Sequence, residues 1–555
     1  MPESNHSSSP PSNPPLVGDK SRKRLGDRLV ELGRITAAQL VLALEEQKRT
    51  GENVGQVLLR LAFVREEDLA QMLAEDLGVP FVRLQDQVVE PLANFAMDID
   101  FLTQVAAVPL REEKGMVVLA MARPSDVTVL DTIQRQLKKP LKVLAATETE
   151  IRALLRLAPV QAGGKSLTSV GQEGAAAQLD AILARALREG STDVHIEPEE
   201  RLVRLRFRVD GMLRSVEMLP VESGAAVVAR VKVLAQLDIA EHRRPQDGRF
   251  RTEIAGRAID LRVSTIPARH GENTVLRILD RSSAATRIDQ LGLPTPMLTR
   301  LKAIGELPYG LLLVTGPTGS GKTTTLYSLL ASIDALARKV ATIEDPIEAE
   351  IPLVRQSQVD TSIGFGFAEG LRSLLRQDPD VLLVGEIRDR ETADIALRAS
   401  LTGHLVLATL HTNDALGAAP RLIEMGIEPF LLSASLAGVL AQRLVRRVCR
   451  ACAVEVEPGE DDRLLFDGAP PPRVVRGQGC AQCSNSGHRG RLGIYELFEP
   501  DTEFKRVLLA QGDDVSMRAV ATKRGFEAMT FDGREKVRAG VTTSAEVLRV
   551  TRVID

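Results

Sequence analysis

Gly316-Pro317-Thr318-Gly319-Ser320-Gly321-Lys322-Thr323 follows an apolar run over 311–315 and leads into an apolar helical pattern. The octet therefore sits where a strand hands over to a helix. Glycines in such a turn let backbone N–H groups point at phosphate oxygens with no Cβ in the way. The N-terminus of the following helix faces the same anion. In this pattern the lysine reaches the β- and γ-phosphates, and the next hydroxyl is placed for Mg²⁺. Lys322, Thr323 and the adjoining Thr324 are thus assigned to ATP and Mg²⁺. Gly163-Gly164-Lys165-Ser166 has no strand before it and no apolar helix after it, and is read as a decoy.

Transfer of a phosphoryl group to water needs an acid to hold the water or the metal shell, and donors near the γ-phosphate. Polar residues at strand ends can supply both, because ligands bind at the carboxyl ends of strands in open α/β sheets. After the apolar run 340–343 come Glu344 and Glu348, and after 381–384 comes Glu386. His404 and His411 lie around the run 405–409. Glu348 and Glu386 suit the acid role and His411 that of a γ-phosphate sensor. A lone glutamate is ordinarily a solvated charge; a set of strand-end groups beside a phosphate loop is not. The run 381–384 ends in Gly385-Glu386, where P-loop enzymes usually place an Asp for the metal, so Mg²⁺ would rely on Thr323, the nucleotide and Glu386.

The chain has four cysteines, in two C-x-x-C pairs: Cys449 with Cys452, and Cys480 with Cys483. Four thiolates suit a closed, tetrahedral, structural Zn²⁺ site, and Gly479, Gly487 and Gly490 suit the tight knuckle.

At 555 residues the chain exceeds one hydrophobic core, and several domains are expected. A net charge of −3, no Trp and three Tyr argue against a polyanion-binding or base-stacking protein, so no nucleic acid is expected as a partner. No apolar run approaches the roughly 20 residues that span a bilayer. The polar N-terminus MPESNHSSSPPSNPP lacks the apolar centre of a signal peptide, which points to the cytosol.

Residues 1–20 read as a disordered tail, and 21–158 as an N-terminal domain. The latter opens with two helical segments, 24–47 and 53–76, that repeat at a period of 29. Residues 159–174 are polar and Gly-rich, as in a flexible linker. Residues 175–290, a helix followed by alternating strands, read as an α+β domain. Residues 291–555 alternate apolar strands with helices, as in a parallel sheet, around the cysteine segment 446–495, and close with helical patterns over 500–555.

The segment LRQDPDVLLVGEIRD at 375–389 resembles the signature of the secretion ATPases of type II secretion and type IV pilus systems. TIEDPIE at 342–348 resembles the aspartate box of that family, and TGHLVLATLHTN at 402–413 its histidine box. STDVHIEP at 191–198, RFRVDG at 206–211 and DIAEHRRPQDGRF at 238–250 resemble its second N-terminal domain. AQRLVRRVCRAC at 441–452 and GHRGRLGIYEL at 487–497 resemble its zinc subdomain and flanks. The resemblance covers about residues 24–555. It implies a multidomain α/β protein, with a RecA-like ATPase core after a PAS-like domain and a mainly helical N-terminal domain. It implies Lys322 and Thr323 on nucleotide and Mg²⁺, Glu348 and Glu386 as catalytic acids with Glu344 in the same box, and His404 and His411 as the histidine box. It also implies arginines donated to the nucleotide by the preceding domain: Arg206, Arg208, Arg262 and Arg277. Sites completed by a neighbour require a ring, here a homo-hexamer. The tetracysteine insert points to the secretion or pilus-extension branch rather than the retraction branch.

The N-terminal repeat resembles the cyclic di-GMP module carried by some of these ATPases, with Arg24 as the guanine- or phosphate-binding residue. The second copy departs from it at Asn53, Ala62 and Asp76. The other reading is a docking domain for the cytoplasmic part of an inner-membrane assembly protein, which would hold a cytosolic ATPase at the membrane. Type II secretion is the expected role and pilus extension the nearest alternative. A hexameric nucleic-acid translocase lacks the basic pore and stacking aromatics, and a non-catalytic nucleotide sensor would not need Lys322, Glu348 and Glu386 together.

Overall fold

A computed structural model describes residues 25–552, apart from 85, 86, 88, 91, 96, 162–173, 255–256, 280–285 and 511–512. The expected tail over 1–20, Arg24 and linker residues 162–173 lie outside the described residues. Two compact units divide at Leu69 and Ala70. No helix among the described residues is long and apolar enough to cross a membrane.

The described part of the first unit belongs to the repeat, whose last helix continues past Leu69. Helices Leu25–Glu31 and Ala37–Thr50 recur as Val54–Arg60 and Glu66–Leu77, each starting 29 residues later. Thr36 caps the second helix through a reciprocal box: its hydroxyl accepts from Gln39 N–H at 3.2 Å, and Gln39 Oε1 accepts from Thr36 N–H at 2.8 Å. Gly26 allows close helix contact, since a Cβ there would lie 2.4 Å from Leu40 Cδ1. The turn at Gly33 has φ 62°, and the second copy keeps it at Ala62 with φ 54°. The alanine carries the steric cost of a left-handed residue, about 1–2 kcal/mol.

The second unit contains three larger sheets. The first joins β1 (Ala107–Glu113), β2 (Met116–Met121) and β3 (Leu141–Ala145) in that order. The helix after β3 continues to Gln161, into the segment expected to be linker.

The second sheet is six-stranded and antiparallel, in the order β6-β5-β4-β9-β8-β7. Its strands are β4 (Ser191–Pro198), β5 (Val203–Val209), β6 (Met212–Leu219), β7 (Gln246–Ile254), β8 (Arg257–Ala268) and β9 (Gly271–Leu279). Alternation sends Val194, Leu205, Phe207, Leu261 and Leu276 to one face, against helices Ala175–Arg188 and Val221–Leu234. The opposite face is charged.

The third sheet is seven-stranded, in the order β12-β11-β13-β14-β10-β15-β18. It comprises β10 (Gly310–Thr315), β11 (Val340–Glu344), β12 (Arg355–Gln358), β13 (Val381–Val384), β14 (Leu405–Leu410), β15 (Leu436–Val448) and β18 (His488–Phe498). All pairings are parallel except β15 with β18. Strands β10, β13 and β14 are buried throughout, as parallel strands covered on both faces must be. Between β15 and β18 the cysteine segment adds a two-stranded ribbon, β16 (Ala453–Val456) with β17 (Val474–Gly477). β15 and β18, which flank the cysteine segment, are themselves two strands of the central sheet.

Candidate active site

Strand β10 ends at Thr315, and the phosphate loop turns at Gly316, Gly319 and Gly321, with φ of 147°, 78° and 89°. Two of these glycines are required by crowding as well. A Cβ on Gly316 would lie 2.5 Å from the Gln442 carbonyl, and one on Gly321 would lie 2.8 Å from Gln442 Nε2. Gln442 is buried on β15, and its Oε1 accepts from the Thr325 hydroxyl at 2.6 Å, so the neighbouring strand braces the loop helix. Pro317, Thr318, Gly319, Thr323 and Thr324 are exposed along the loop and its helix. The Ser320 hydroxyl is buried and has no hydrogen-bond partner among the described residues.

Lys322 is 8% exposed and donates to the carbonyls of Gly316 at 2.7 Å and Pro317 at 3.2 Å. Burial pushes its ammonium down to about 8, with Arg443 adding to the effect and Glu386 opposing it. An incoming polyphosphate would reverse that shift, because an opposite charge favours the charged form.

Glu386, just past β13, pairs with Arg388 and stands 3.6 Å from His411 Nε2. His411 follows β14. Thr412 fixes that position: its N–H donates to the Thr315 hydroxyl at 2.9 Å, tying the end of β14 to the end of β10. Burial lowers the basicity of His411, and the Lys322 charge lowers it further. Gly385 holds the place where an Asp is usual. A Cβ there would lie 3.2 Å from the Glu344 Cα, so β11 and β13 leave little room for a side chain.

Glu348 is exposed in the loop after β11, and its N–H donates to the Tyr327 hydroxyl at 3.2 Å. Tyr327, on the phosphate-loop helix, also donates to Glu344. Two of the candidate residues stand apart from this cluster. Glu344 does not face the loop with Glu348: it is 3% exposed, and Tyr327, Thr342 and Gln356 occupy its oxygens. His404 does not join His411. It precedes β14, with Nδ1 3.0 Å from the Ala399 carbonyl, at the opposite end of an extended strand. Seven residues at about 3.3 Å each separate the two histidines by about 23 Å.

The arginines sit on the charged face of the six-stranded sheet. Registers place Arg249, Arg262, Arg277, Asp193 and Arg208 side by side across β7, β8, β9, β4 and β5. Asp193 accepts from Arg277 at 2.9 Å and lies 3.8 Å from Arg208. Arg206 stands outside that row, paired with Glu197. Among the described residues no hydrogen bond or ion pair joins this row to the phosphate loop of the same chain.

Arg249 was not anticipated, although its place in the QDGRF segment gave a signal. Tyr327, Gln442, Arg443 and Glu496 were also missed. Glu496, buried on β18, accepts from the N–H groups of Ala415 at 2.6 Å and Met529 at 2.7 Å, and so holds the chain beyond His411.

The four cysteine sulfurs lie within 4.8 Å of one another, with Cys449–Cys480 and Cys452–Cys483 both at 3.9 Å. A tetrahedron with Zn–S bonds of about 2.3 Å has edges of about 3.8 Å. N–H groups of Gly479, Cys480 and Gly487 donate to the sulfurs at 3.2–3.3 Å. The donor set fits a metal ion.

This sheet and loop define a P-loop ATPase. Residues 169–549 match the family described as type II/IV secretion system protein, and residues 77–164 match the MshEN domain, beyond most of the helical repeat. The chain is 37% identical to the type IV pilus assembly ATPase PilB of Myxococcus xanthus, over 95% of this chain and 98% of that one. It is 50% identical to the type II secretion system protein E of Pseudomonas aeruginosa, over 67% of this chain and 75% of that one. The ATPase DotB of Legionella pneumophila shares the fold at 22% identity with a TM-score of 0.50, covering 67% of this chain and 94% of that one. The chain belongs to the secretion ATPase family of type II secretion and type IV pilus systems, and it is an ATP-hydrolysing enzyme.

Proposed function

We propose that the chain is the hexameric ATPase of a type II secretion system, working at the cytoplasmic side of the inner membrane to drive pseudopilus assembly and protein export. The observation that carries this reading is the convergence of Lys322, Glu386 and His411 at the ends of β10, β13 and β14, in a chain 50% identical to a type II secretion protein E over 376 residues. The loop from Gly316 to Gly321 would hold the phosphates through its N–H groups and the unpartnered Ser320 hydroxyl. Thr323, Thr324 and Glu386 would hold Mg²⁺, which neutralises charge on the phosphates when bound. Lys322 leaves the Gly316 and Pro317 carbonyls for the nucleotide. Glu386 orients the attacking water and Glu348 assists it. A neutral His411 donates to the terminal phosphate. Glu344 holds Tyr327, and through it the loop bearing Glu348. Arg208, Arg262 and Arg277, with Arg249, would reach the nucleotide of a neighbouring subunit, while Arg206 is held by Glu197.

The tetracysteine site would hold a structural Zn²⁺ that pins β15 to β18. Residues 21–158 would dock an inner-membrane assembly protein, with cyclic di-GMP binding through Arg24 as the regulatory alternative. The match to a pilus assembly ATPase over 95% of the chain favours a second reading, pilus extension. Deleting the gene in its own host and complementing with wild type or Glu386→Gln separates the two. Loss of secreted enzymes from the medium, restored by wild type alone, is the expected result. Intact secretion with loss of surface pili would transfer the role to pilus extension.

A further inference from the structure

Arg443 lies on β15, two residues beyond Ala441, the register partner of Thr315. Its Nη2 donates to the Asn413 carbonyl at 2.7 Å and its Nη1 to the Gln442 carbonyl at 3.4 Å. A Cβ on Gly316 would lie 3.2 Å from Nη1. The guanidinium therefore crosses the end of β10, from β15 to the loop after β14, directly against the first residue of the phosphate loop.

Its surroundings are unlike those of other arginines at this end of the sheet. Arg388 pairs with Glu386, and Arg518 pairs with Asp414 and Asp514. Arg443 has no carboxylate within ion-pairing distance among the described residues, and its two carbonyl contacts leave N–H donors unused. Partial burial of an unpaired cation is costly. Burial lowers the basicity of Arg443, against the more distant Glu496 and Asp414 carboxylates, and Arg443 in turn lowers that of Lys322. Two cations thus converge on one loop, with Glu386 opposing the shift at Lys322, an arrangement that an entering polyanion would relieve.

We propose that Arg443 donates to the terminal phosphate of ATP bound at the phosphate loop, as a second cation supplied by the same chain. The terminal position follows from its neighbours. Arg443 lies over Gly316, on the strand side of the loop, and holds the carbonyl two residues past His411. The inner phosphates fall to the N–H groups at the helix side, from Gly319 to Thr323. The inference rests on the assignment of this loop as the ATP site. It also supplies a link: a phosphate drawn to Arg443 acts on Asn413, and so on the segment carrying His411.

Titration of the full-length protein with N-methylanthraniloyl-labelled ATP and ADP tests this, using Arg443→Ala, Arg443→Lys and Lys322→Ala. A charge-assisted contact to the terminal phosphate predicts that Arg443→Ala weakens ATP binding about tenfold or more and leaves ADP binding within roughly threefold. Arg443→Lys should show a smaller loss, again confined to ATP, and it decides the question if the alanine variant does not fold. Equal losses for ATP and ADP, or no loss for either, overturn the proposal while Lys322→Ala still loses binding. Unchanged binding by Lys322→Ala would overturn the ATP-site assignment itself.

Discussion

Glu386 and His411, carried by the ends of adjacent strands, stand 3.6 Å apart, and the Lys322 charge acts on both. The charge on this imidazole at the working pH is set by its neighbours. Burial, and then Lys322, holds His411 below the ordinary imidazole value of about 6.5. The folded state therefore binds this proton less readily than the unfolded one. The contribution to stability is present above about pH 6.5 and is lost as pH falls through the folded value. NMR titration, with His411→Gln to assign the resonance, should place the midpoint below 6.5, and Lys322→Met should raise it. A midpoint at or above 6.5 in wild type would refute this electrostatic description.

Tyr327 joins the phosphate-loop helix to the loop bearing Glu348. Burial, followed by the Glu344 carboxylate, pushes its phenol up, so it stays a donor at any physiological pH. Tyr327→Phe should leave Glu344 short of a donor at a cost of about 1–3 kcal/mol. It should also release Glu348. Turnover should fall roughly 10- to 100-fold with little change in the KM for ATP. Steady-state kinetics beside thermal unfolding checks both. A stability loss with unchanged turnover would make Tyr327 purely structural.

The sulfur spacing predicts one zinc per chain. Cys449→Ser should abolish it and disorder the ribbon of β16 and β17, because metal binding in such knuckles contributes roughly 10–16 kcal/mol to local folding. Nucleotide affinity should change less than about threefold if the rest of the sheet holds Gln442 in place. Elemental analysis and nucleotide titration measure the two effects. Protein prepared without chelator and lacking stoichiometric zinc would contradict the assignment.

The phosphate loop could be read because strand, glycines and helix are contiguous in the chain. So could the two C-x-x-C pairs, whose short spacings fix the sulfurs locally. The period of 29 carried the helical repeat, down to the turn that Ala62 preserves. What could not be read depends on the third dimension. His404 and His411 are close in sequence yet lie at opposite ends of one extended strand. Glu344 and Glu348 share a motif, but the strand ends between them and turns one carboxylate inward. Gln442 and Arg443 lie more than a hundred residues from the loop they brace, and only the pairing of β15 with β10 brings them there. Their signal was two polar residues inside an apolar strand, which marks a position that must touch something polar.

Hydrolysis is expected at the Lys322, Glu386 and His411 constellation. The most direct measurement compares ATP binding and turnover in Glu386→Gln and Lys322→Ala. Glu386→Gln should bind ATP within about threefold of wild type yet turn it over roughly 10²–10³ times more slowly, as when a transition-state group is removed. Lys322→Ala should lose the binding itself. Wild-type turnover by the Glu386→Gln enzyme would contradict the account.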